Sequence, residues 1–226
     1  MEAPESLNWP LALTALIVGA GLFAAVDVES GLTSSFLTEL TALLTPLFTL
    51  PLTLELWRQK RIGWGGAVYF VFALSLFHFI AIALADGAYP ISCETLLDYI
   101  PPPHTPPLPC EAPQTAAFQH VFYAAKAGAT GGLAGAALSF AGLLVFYPRL
   151  RRARPLALMT VATILLTALG ALGLSFTMPE HKTPLQFAEQ LFVPWQMVFG
   201  LAVLALFDER LQTFGSARVT TPASSL

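Results

Sequence analysis

The chain has 226 residues, of which 55% are apolar and 11% charged, with a net charge of -3 and a mean hydropathy of +0.67. A soluble domain carries about 25% charged residues, so this composition excludes an ordinary soluble domain, and the acidic balance gives no basic face for nucleic acid. No Gly-rich phosphate loop is present, and the acidic opening Met1-Glu2-Ala3-Pro4-Glu5-Ser6 is unlike the basic start of a secretory signal.

The charge that remains is clustered. Nine of the eleven Lys and Arg residues fall in three places: Arg58, Lys60 and Arg61; Arg149, Arg151, Arg152 and Arg154; Arg210 and Arg218. Apolar runs separate them. A span needs about 20 apolar residues to cross about 30 Å of hydrocarbon. The expected fold is therefore all-α, a polytopic bundle of six transmembrane helices over 9–28, 35–56, 64–86, 119–147, 156–177 and 187–207. They form one domain over 1–208, followed by a Ser/Thr-rich cytoplasmic tail over 209–226. With six spans, all three basic clusters fall on the cytoplasmic side only if both termini are cytoplasmic. Trp9, Trp57 and Trp64 then mark an aromatic belt near helix ends.

Span one ends with Asp27 and Glu29, which read as boundary markers. Span two carries Glu39 about one turn inside its outer end, and Thr41, Thr45, Thr49 and Thr53 at every fourth position. Pro46 and Pro51 interrupt it and free the carbonyls of Ala42 and Leu47. Threonine hydroxyls can bond back to carbonyls along a helix, so a self-repaired kink is the plain reading. A broken helix lining a polar cavity is the functional one. Span three buries His78 two turns below Asp86, too deep to snorkel easily.

The non-cytoplasmic loop over 87–117 holds Pro101-Pro102-Pro103 and Pro106-Pro107 between Cys93 and Cys110, the two cysteines of the chain. That compartment is usually oxidising, so a Cys93–Cys110 disulfide is expected, contributing about 3 kcal/mol by loop closure. Two cysteines with His104 match no established zinc spacing, so no metal site is expected.

Span four opens with interfacial turns that include Lys126, which can snorkel. Gly128/Gly132 and Gly131/Gly135 are overlapping GxxxG pairs that let helix backbones approach closely, within the chain or across to a second one. Gly170 and Gly173 on span five are a possible complement. Span six begins near Glu189, carries Trp195 and Gln196 just after Pro194, and ends at Asp208, Glu209 and Arg210, further boundary markers.

Polar residues within spans call for a reason. Glu39 and His78 are the candidate catalytic acid and base, while Lys126, Glu189, Trp195, Gln196, Thr45 and Thr49 are candidates for binding substrate. The chemistry that fits is acid/base isomerisation or cyclisation of a lipid-like or isoprenoid substrate, with Trp195 against a cationic intermediate and no cofactor. Two other classes remain open: an accessory subunit packing through the glycines, and a proton-coupled carrier of a small apolar solute. The bilayer is the one partner that composition itself indicates.

Overall fold

The computed structural model describes residues 6–30, 39–88, 113–177, 188–208 and 211. Among these residues the chain is almost wholly helical, without strands. Helix α1 covers Trp9–Ser30. A short 3-10 helix over Glu39–Leu44 leads into α2, Thr45–Arg58. Helix α3 covers Trp64–Ala88 and contains a π turn over Tyr69–Ala73. Helix α4 is Pro113–Phe146 and α5 is Ala153–Thr177. A π turn over Ala188–Phe192 opens onto α6, Val193–Phe207.

Five stretches are long and apolar enough to cross a membrane: Trp9–Glu29, Trp64–Ala88, Val121–Phe146, Ala153–Phe176 and Gln190–Phe207. The second expected span differs from the others. Pro46 has no N–H to donate to Ala42, and the chain meets this by changing helix type rather than kinking. The backbone is 3-10 through Leu44, and Pro46 falls in the first turn of α2, where an N–H is not required. Pro51 stays inside α2. Helix α4 begins at Pro113 and α3 runs to Ala88, so helix occupies both edges of the expected 87–117 loop. Cys93 and Cys110, with their expected disulfide, lie outside the described residues.

The arginine-bearing connections share one end of the bundle. The Asn8 N–H donates to Gln59 Oε1 at 2.8 Å, joining the start of α1 to the end of α2. Trp9 Nε1 donates to Asp208 Oδ2 at 2.6 Å, joining the start of α1 to the end of α6. Arg149 donates to the Arg61 carbonyl at 3.4 Å, and its guanidinium lies over the Tyr147 and Phe207 rings at 6.0 and 5.6 Å. Consecutive helices therefore alternate in direction. Lys60, at φ 56°, closes α2 in the left-handed region. The N–H of Arg61 reaches back to Leu56 at 2.8 Å and that of Lys60 to Trp57 at 2.9 Å, as in a Schellman cap.

Two residues read as boundary markers are buried instead. Asp27 is wholly buried within α1, and Asp208 is almost so, as the acceptor for Trp9. Trp57 and Trp64 are exposed, in keeping with an interfacial position.

Glycine decides how the helices meet. A Cβ on Gly128 would strike the Gly170 carbonyl, and one on Gly132 would lie 2.6 Å from the Leu166 carbonyl oxygen, so α4 and α5 touch backbone to backbone. Gly131 and Gly135 face Ala81 and Ala85 of α3 and the Trp195 ring of α6. Helix α6 is central: half of its 18-residue apolar window is buried, against a third or less for the other four. The outward faces are apolar, with Leu43, Phe72, Phe122, Val145, Ile164 and Phe176 each more than half exposed.

Candidate functional site

Five segments leave a space between them in the half of the bundle remote from the arginines. Each contributes a stripe with helical spacing. Thr45 and Thr49 come from α2; Leu74, His78, Ala81 and Ala85 from α3; Gly128 to Ser139 from α4; Gly170 and Leu174 from α5; Leu191 to Phe199 from α6 and the π turn before it. The cavity is about 90 Å³. The glycines of α4 that border it also bring α3, α5 and α6 close to its backbone.

His78 has a defined setting. Its Nδ1 is 2.6 Å from Thr45 Oγ1. Its ring lies 5.9 Å from Phe192 and 6.5 Å from Phe23, which also pack on each other at 5.5 Å. One nitrogen is thus committed to Thr45, and the ring packs against the Phe23–Phe192 pair, meeting Phe192 in a T-shaped contact. If Nδ1 carries the proton, Nε2 is left with a lone pair; in the other tautomer Thr45 donates and Nε2 carries the proton.

The threonine stripe does not repair the proline gaps as expected. Thr45 serves His78, and the Thr49 hydroxyl donates to the Thr45 carbonyl at 3.2 Å. The hydroxyls of Thr41 and Thr53 are buried with no partner among the described residues. Proline thus sets where α2 begins, while Thr45 and Thr49 turn toward the cavity.

Gln196 is 4% exposed and lines the cavity, and its Oε1 has no hydrogen-bond partner among the described residues. Trp195 stacks on Phe199 at 5.4 Å with 13° between the planes, forming a flat aromatic wall. So His78, Thr45, Thr49, Trp195 and Gln196 converge on one space from three segments that are distant in sequence.

The other candidates do not join them. Lys126 is exposed and outside the cavity lining. The backbones of Glu39 and Glu189 belong to the 3-10 helix and the π turn, and their side chains lie outside the described residues. At the 3-10 rise, the Glu39 backbone stands about 12 Å along the axis from Thr45. Glu39 thus belongs to the mouth of the bundle rather than to the level of the imidazole.

Sequence reasoning missed Ser139, which is buried and lines the cavity. The signal was available, since Ser139 continues the stripe Gly128, Gly131, Gly132, Gly135 by one more turn. It also missed Phe23 and Phe192, which no spacing in the chain connects to His78. Among the described residues, no group of three or more His, Cys, Asp or Glu is placed to hold a metal ion. The chain matches no protein family, and no curated protein or solved structure matches it.

Proposed function

We propose that this chain is an integral membrane protein of six spans with both termini on the cytoplasmic side. Its cavity takes a lipid-like or isoprenoid molecule, on which His78 performs proton transfer in an isomerisation or cyclisation. The observation that carries this reading is the convergence of His78, Thr45, Trp195 and Gln196 on one apolar cavity.

The membrane part is supported by five apolar helices and their exposed Leu, Ile and Phe side chains. A soluble monomer rarely exposes apolar area this continuously. The sixth span is Glu39–Arg58, whose 3-10 and α portions together rise about 33 Å, enough to cross the hydrocarbon. The shared basic end supports the orientation.

The catalytic part uses groups at the cavity. His78 Nε2 takes a proton from one carbon and the imidazolium returns it to the carbon two bonds away, so a double bond moves with no change of oxidation state. Trp195 offers its face to positive charge that develops on the way. Glu39 supplies an acid at the mouth, and Glu189 and Lys126 bind near the entrance.

The test is mass spectrometry of small molecules retained by the gently extracted protein, followed by product analysis in a host lacking the native gene. A bound terpenoid or lipid is expected, with product lost in His78→Ala. Normal product levels in both His78→Ala and Glu39→Gln would end the enzyme reading. The cavity-facing Thr45 and Thr49 favour a second reading, a proton-coupled carrier of a small apolar solute. That reading requires liposome flux that responds to a pH gradient and to replacement of both threonines. The four glycines of α4 pack on helices of the same chain, which favours an internal packing role for them over the accessory-subunit reading.

A further inference from the structure

We infer that the molecule held in this cavity is anchored by a neutral hydrogen-bond donor, a hydroxyl on an otherwise apolar body, which donates to Gln196 Oε1. The inference rests on the reading of the cavity as a binding site and names what that site recognises.

Gln196 is almost fully buried in the lining, as Ser139 is, and its carbonyl oxygen is unpartnered among the described residues. A buried acceptor with no donor is costly. A ligand that brings an O–H removes that cost on binding. The other polar groups of the lining are less available: Thr45 is engaged with His78, and the Thr49 hydroxyl with the Thr45 carbonyl. Gln196 therefore offers a buried amide acceptor to a ligand, beside the imidazole Nε2 that the proposed function reserves for proton transfer.

The donor is neutral. Among the described residues no carboxylate lines the cavity, so an ammonium would enter apolar surroundings without a counter-charge. The body of the ligand is apolar and slender. The lining includes the Trp195–Phe199 stack and the glycines Gly128, Gly132 and Gly170, which add no side chains.

Three probes of matched skeleton test this in nanodiscs: geraniol, geranyl methyl ether and the parent hydrocarbon. Geraniol is expected to bind about tenfold more tightly than either of the others, the worth of one net hydrogen bond. In Gln196→Met, which keeps the side-chain volume, the three affinities should become equal while hydrocarbon binding persists, showing that the cavity is still folded. Equal binding of all three by the unaltered protein would overturn the anchor and leave the cavity reading standing. Equal binding of alcohol and ether, both above the hydrocarbon, would also overturn it, because it would mean that the amide presents its N–H instead. Binding of none of them, with a lipid-filled cavity ruled out by mass spectrometry, would sink the cavity reading itself.

Discussion

The two ends of this bundle use polar groups differently. At the arginine end they are committed to holding helices together: Trp9 to Asp208, Asn8 to Gln59, Arg149 to the Arg61 carbonyl. In the other half α4 and α5 meet through glycine backbone, and His78, Thr45 and Gln196 come together at the cavity. Polar bonding closes a structure and leaves nothing for a ligand. Backbone packing closes it equally well and leaves the side chains of neighbouring helices free to line a cavity.

The comparison breaks most directly at Gly128. Gly128→Leu would drive a side chain into the Gly170 carbonyl, and a loss of about 3 kcal/mol or more is expected. Thermal unfolding in detergent would read it, and an unchanged Tm would mean that α4 and α5 do not meet as described. The next effect belongs to the opposite end. Trp9→Phe removes a donor from the buried Asp208 carboxylate, which should lower stability by about 2 kcal/mol while leaving ligand binding intact. If binding fell as much as stability, the two ends would not be independent. Thr45→Val sharpens the other half, since it frees the His78 ring with little change in shape. A stability loss of about 1 kcal/mol is expected, together with a much larger fall in product formation under the proposed function. The smallest effect is at Lys60, where glycine would relieve the left-handed backbone. Lys60→Gly should stabilise the protein by about 0.5 kcal/mol, net of the flexibility glycine adds to the unfolded chain.

Much of the fold was legible because spans are long and their signal is repeated. The starts of α1 at Trp9 and α3 at Trp64, and the end of α6 at Phe207, coincide with expected limits. The second span was harder to read. Periodic threonines and two prolines implied a repaired kink, whereas Pro46 sets a change of helix type and two of the threonine hydroxyls, on Thr41 and Thr53, have no partner among the described residues. Local pattern cannot report which way a hydroxyl turns when a neighbouring helix offers an imidazole. Asp27 shows the same limit: near the end of an apolar run it reads as a marker, and packing buries it completely.

Sequence by itself determined the helices, their alternation and the gathering of arginines, because hydrophobic length and charge are properties of each segment alone. It also supplied the residue types from which a site is built. Only the tertiary structure decided that His78, Thr45, Trp195 and Gln196 share a cavity while Lys126 does not. The rotation of each helix about its axis follows from where its glycines meet a neighbour's backbone, a property of pairs of helices that no single run of residues contains.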